Sequence, residues 1–179
     1  MRVLCAIVFL LLTSSATSAE PVAGLAELNW LVGDWAGLGE GEPGKSATER
    51  HISTILDGKF LRVEGRSVYP KQEGNPNGEV HAEVGIWSFD RARKSVILRE
   101  FDTLGFVATY VLDRKASDAN RWVLVAEHLE NVPAGWRARY IYTFRAPNEY
   151  SEVLELDSDG KGFKPYVSNR FLKVAGTAP

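Results

Sequence analysis

One cysteine, one methionine and three histidines are all that 179 residues contain of the strongest metal ligands and redox groups. A single cysteine, Cys5, excludes a disulfide framework and any multi-cysteine metal centre. His51, His81 and His128 are too few and too scattered for a histidine-rich centre, so no metal site is expected. Neither sign of charge dominates, with 21 lysines and arginines against 23 aspartates and glutamates. A chain without a basic excess has no electrostatic footprint for nucleic acid. No Gly-x-Ser-x-Gly or His-Glu-x-x-His motif occurs, and no catalytic residue is assigned. Long hydrophobic runs are missing too. The apolar stretch Val3 to Leu12 is too short to cross a bilayer at about 1.5 Å per residue.

That stretch has a different meaning. It follows Arg2 and precedes a small polar segment with Thr17 and Ala19 at the −3 and −1 positions of a cleavage site before Glu20. Residues 1–19 are therefore expected to be a signal peptide. Cleavage would remove Cys5, which suits an oxidising compartment. A periplasmic or secreted protein follows, with no membrane association after cleavage.

The rest of the chain reads as one all-β domain. Residues 20–33 hold the one helix-like piece, with Leu25, Leu28 and Leu31 at helical spacing, and are expected to form a plug. Residues 34–174 alternate between short strands and turn signals, and 175–179 form a tail. Strands are expected at 35–42, 47–55, 59–69, 79–89, 95–101, 106–112, 121–130, 136–145, 150–156 and 163–173. Asp57-Gly58 is the sharpest hairpin signal among the connections. Short links between sequential strands imply a single up-and-down antiparallel β-barrel of about ten strands.

Alternation also nominates a site. Trp136, Ala138, Tyr140, Tyr142 and Phe144 share one strand face, opposite Arg137, Arg139 and Arg145. Rings of this kind offer large contact areas, and each tyrosine hydroxyl adds a polar handle. Trp136, Tyr140, Tyr142 and Phe144, extended by Trp87, Tyr110 and Trp122, are the expected cavity wall for a small, largely apolar ligand. The basic face is expected to be a solvated wall. His81 and Glu83 share a face and read as a solvent-facing polar pair beside an apolar face of Val80, Ala82, Val84 and Ile86. Asp157-Ser158-Asp159-Gly160 opens like a calcium loop, but its twelfth position is Ser168 rather than Glu. It is read as a hairpin turn.

The segment Gly33-Asp34-Trp35-Ala36-Gly37-Leu38-Gly39 carries a Gly-x-Trp-x-Gly-x-Gly pattern. It resembles the opening strand of calycin-type barrels, the lipocalins and fatty-acid-binding proteins among them, and most of all nitrobindin-like and related bacterial barrels. Leu56-Asp57-Gly58-Lys59-Phe60-Leu61 and Tyr166-Val167-Ser168-Asn169-Arg170-Phe171 add to the likeness. The resemblance implies barrel closure by Gly33, Trp35 and a late arginine, here Arg170, stacked on the indole. For nitrobindins it would also imply haem held by a histidine near the C-terminal end. No histidine follows His128, and Tyr166 is a poor substitute. No cofactor is therefore expected, with haem kept as an alternative beside a ligand-free interaction barrel.

Overall fold

The computed structural model describes residues 24–176. The expected signal peptide and the end of the tail lie outside the described residues. A short 3-10 helix, Ala26–Leu31, leads into ten strands: β1 (Gly33–Gly41), β2 (Ser46–Ile55), β3 (Phe60–Tyr69), β4 (Glu79–Asp90), β5 (Ser95–Asp102), β6 (Val107–Leu112), β7 (Arg121–Glu130), β8 (Arg137–Ala146), β9 (Glu149–Asp157) and β10 (Lys164–Lys173). The expected strands are all present, their ends displaced by two residues at most. Each pairs antiparallel with its sequence neighbours, and β1 pairs with β10, so the sheet closes into a barrel without edges.

Local chemistry explains the turns and the seam. Asp57 and Gly58 both have positive φ, 58° and 71°, and Lys59 N–H donates to the Leu56 carbonyl at 3.2 Å. They are thus the two left-handed central residues that a type I′ turn requires. At the seam, a Cβ on Gly37 would lie 2.3 Å from the Arg170 carbonyl oxygen, and one on Gly41 would lie 2.1 Å from that of Tyr166. The bare positions on β1 are what let β10 come close enough to close the ring.

One end of the barrel is sealed. Leu25, Leu28 and Leu31 are fully buried beneath it. Trp35 donates its indole N–H to the Leu31 carbonyl at 2.7 Å, tying plug to wall. Above the plug, Trp35 meets Tyr150 edge-on at 4.7 Å between ring centroids, and Tyr150 stacks on Phe171 at 4.8 Å. Trp87 meets Tyr142 edge-on at 5.4 Å. These contacts make a dry aromatic core, with ring geometries that add to the burial of area.

Two expectations are corrected here. Arg170 does not cover Trp35. It lies opposite Leu38 on the outer face, exposed, and pairs with Glu149 at 2.9 Å. The cation over the indole is Lys173, directly opposite Trp35 in register, with Nζ at 5.2 Å from the ring centroid. The cause is parity. Side chains alternate along a strand, so with Asn169 and Phe171 turned inward Arg170 must point out.

The faces of β4 are likewise the reverse of the expected ones. His81 and Glu83 face the interior, while Val80 and Val84 are exposed outside. Trp87 and Phe89 share the parity of His81 and Glu83, and both pack on the core. Burying two large rings outweighs burying Val80, Ala82 and Val84, because hydrophobic gain scales with area.

Candidate functional site

Among the described residues the other end of the barrel is open, and it holds a cavity of about 370 Å³. Its floor is polar and is built from seven strands. Arg50 on β2 places Nη2 2.9 Å from a Glu83 oxygen on β4 and 2.8 Å from a Glu152 oxygen on β9. Its Nη1 donates to Thr48 Oγ1 at 3.0 Å, and Thr48 in turn bonds Ser67 at 2.8 Å. Asn169 on β10 donates Nδ2 to the same Glu152 oxygen at 3.0 Å. On the far side, Tyr140 on β8 donates its hydroxyl to Glu100 on β5 at 3.1 Å.

Gly65 makes this convergence possible. It lies opposite Arg50 on one side and Glu83 on the other. A Cβ there would sit 2.5 Å from Glu83 Oε1, so a side chain would push the carboxylate off the guanidinium. Below, the guanidinium carbon of Arg50 lies 5.1 Å from the Phe171 ring centroid. Arg50 is therefore the boundary layer between the dry aromatic core and the polar floor.

Electrostatics follow from burial. Burial opposes the charge on Arg50, but Glu83 and Glu152 outweigh it and hold its pKa well above the ordinary value. Burial pushes Glu100 well above the usual carboxylate range, and Glu83 and Glu152 push it further. Glu83 is raised by burial too, with Arg50 opposing the shift. Tyr110, Tyr140, Tyr142 and Tyr150 are all raised, first by burial and then by nearby carboxylates, which keeps them as phenols. Among the described residues no group of histidine, cysteine and carboxylate side chains is arranged to hold a metal ion.

The walls are mostly apolar. Ala108 and Tyr110 come from β6, Ala138 from β8, and Leu154 and Leu156 from β9. Leu104, Phe106, Val132, Trp136 and Tyr166 form the mouth. His81 and Asp102 stand between floor and mouth. His81 Nε2 is 3.0 Å from a Glu79 oxygen, without the directional geometry of a hydrogen bond, and Tyr69 lies against the imidazole.

The seven expected wall residues separate into three groups. Tyr110, Trp136 and Tyr140 line this cavity. Trp87 and Tyr142 lie beneath the floor, around a space of about 20 Å³. Trp122 and Phe144 lie at the sealed end, on an outer groove shared with Trp30 and Arg145. A strand face spans the whole height of a barrel, so shared parity does not place residues at one depth. The solvated basic face is as expected, with Arg137 and Arg139 paired to Asp157 and Glu155.

Arg50, Glu100, Glu152 and Asn169 were not singled out from sequence, and Glu83 was assigned to the wrong face. A signal was there. Glu100 shares parity with Val96 and Leu98, Glu152 with Tyr150 and Leu154, and Arg50 with Ile52. Only Glu152 is a charge on the clearly apolar parity of its strand, since β2 and β5 carry apolar residues on both parities.

Comparisons with known proteins bear on the fold alone. No protein-family model matches the chain, and no curated protein matches its sequence. Among solved structures it is similar to the crystal structure of Rv2717c from M. tuberculosis. The TM-score is 0.64 at 17% identity, over 87% of this chain and 99% of that one.

Proposed function

We propose that this protein is a calycin-type barrel, related in pattern to the nitrobindin-like group, that binds a small, largely apolar molecule in its open end. We further propose that it does so in the periplasm or after secretion. The observation that carries the reading is the cavity itself. About 370 Å³ lies in the range of small-molecule pockets, roughly 300–1,000 Å³. Its apolar walls and few convergent polar groups have the character of such sites. A barrel serving only as a scaffold would gain stability by filling that space, as this one does at its sealed end.

Haem is a poorer occupant. His51 and His128 are exposed on the outside, paired to Asp34 and Glu130. His81 is the one histidine lining the cavity, and it is bracketed by the Glu79 carboxylate and the Tyr69 ring. Tyr166 stands at the mouth. The residues present do not form an axial ligand set.

The test uses a neutral solvatochromic dye, Nile red, with native mass spectrometry of the freshly purified protein. The dye is expected to bind at micromolar concentration with a blue shift. Ala138→Phe, which projects a ring into the cavity, should abolish the shift while the protein stays folded. A protein that binds no dye and carries no co-purified small molecule would overturn the reading.

A further inference from the structure

We infer that the ligand's polar end is a protonated amine, and that the cavity discriminates against carboxylates such as fatty acids. This rests on the proposal that the cavity binds a small molecule, and it assigns that molecule a chemical class.

The first observation is the balance of charge. Glu83, Glu100 and Asp102 line the cavity, with Glu152 directly behind the floor. Arg50 and His81 are the basic groups facing them. Both amino groups of the Arg50 guanidinium are already taken. One amino group is shared between Glu83 and Glu152, and the other donates to Thr48 Oγ1 and the Glu49 carbonyl. An arriving carboxylate would find at most the Nε–H of that guanidinium and would meet at least two carboxyl groups of its own kind. Like charges in a low-dielectric site disfavour one another strongly.

The second observation is a hydrogen-bonding vacancy of one type. Asn169 is 6% exposed and lines the cavity, and its Oδ1 has no hydrogen-bond partner. Its orientation is settled, because Nδ2 must face the Glu152 oxygen to donate. The open function is therefore an acceptor, held against Gly39 beside Ser46 Oγ. A buried acceptor without a partner is costly, and its dipole adds negative potential on that side of the cavity.

The third observation is aromatic. Tyr69, Tyr110, Tyr140 and Trp136 stand around the same space. Ring faces attract cations within about 6 Å. Carboxylates, the negative end of a buried amide dipole and aromatic rings together complement a group that is positive. An ammonium on an apolar body is such a group. The remaining surfaces suit the body, with Ala108, Leu154 and Leu156 on the walls.

The experiment is displacement of Nile red from the full chain at pH 7.5 by octylamine, octanol and octanoate, which share one apolar tail. Octylamine should displace the dye at a concentration at least tenfold below octanoate, with octanol between them. Glu100→Gln keeps the shape and removes a carboxyl, and should shrink the amine-to-carboxylate ratio at least fivefold. Asp102→Asn, nearer the mouth, makes the same test should Glu100→Gln fail to fold. Octanoate matching or beating octylamine would overturn the inference while leaving the cavity reading intact. So would octanol equal to octylamine, or an unchanged ratio in both variants. A dye that does not bind at all sinks the cavity reading, and this inference with it.

Discussion

The two ends of this barrel solve the same packing problem in opposite ways. At the sealed end, three leucines and a set of stacked rings fill the interior, and the hydrogen-bonding atom of Trp35 is met by the plug backbone. At the open end the strands carry small residues, Ala108 and Ala138, where large ones would fill the space. The floor there buries an arginine with two glutamates. A buried ion pair contributes little to stability compared with apolar packing of similar volume. The sealed end is thus where the fold's apolar packing is concentrated, and at the open end such packing gives way to a cavity over buried charges. Arg50 divides them, touching Phe171 below and carboxylates above.

The division can be broken by mutation, and the largest effect is expected at the sealed end. Trp35→Ala should cost about 3–5 kcal/mol in urea unfolding, the usual range for a buried aromatic truncation, and the cost should not vary between pH 5 and 8. A loss under about 1 kcal/mol would mean that the plug, not Trp35, carries this end.

Arg50→Met should cost nearly as much at neutral pH, about 3–5 kcal/mol, because it leaves buried carboxylates without a counter-charge. Unlike the Trp35 variant, this one should recover as the pH is lowered and Glu83 protonates. A pH-independent loss would show that Arg50 acts through its contact with Phe171 rather than its charge.

Glu100→Gln tests the open end more finely. Burial and the neighbouring Glu83 and Glu152 raise the Glu100 pKa in the folded state. A raised carboxylate favours folding fully below its unfolded pKa, and the benefit is lost as pH rises through the folded value. Stability of the parent protein should therefore fall with pH above about 4.5, with a slope of at most about 1.4 kcal/mol per pH unit for one proton. The variant should flatten that slope and be the more stable protein at alkaline pH. Arg50, Glu83, Asp102, Tyr110, Tyr140 and Glu152 surround or border the same space and are unaltered in it. An unchanged slope would place the titration elsewhere.

The smallest effects sharpen the seam. Lys173→Leu should cost about 1 kcal/mol through the lost cation over Trp35. Arg170→Leu, on the outer face with Glu149, should leave the unfolding midpoint within the scatter of the parent. The reverse order would restore Arg170 to the indole.

Much of this was legible in the residues. Ten alternating runs separated by turn residues leave few solutions other than a meander, because each strand has a tight turn to the next and an unpaired last edge must find the first. The Asp57-Gly58 turn and the plug leucines could be read for the same reason, since their chemistry acts over a few residues. The candidate site was much less legible. Parity along β8 correctly grouped Tyr140, Tyr142 and Phe144 on one face, but not at one depth. On β4, with small apolar residues on one face and mixed residues on the other, the choice turned on Trp87 and Phe89, whose burial only closure decides.

The sequence by itself determined the all-β class, the strand count, the order of the strands and the pairing of neighbours, because those depend on contacts between segments a short loop apart. Tertiary structure alone decided that Lys173 rather than Arg170 meets Trp35. It also brought Arg50, Glu83 and Glu152 together from strands as many as 102 residues apart, and it left one end of the ring unfilled. Those outcomes depend on the stagger of a closed ring, which converts a position along a strand into a depth. No local pattern carries that quantity, because it is a property of all ten strands at once.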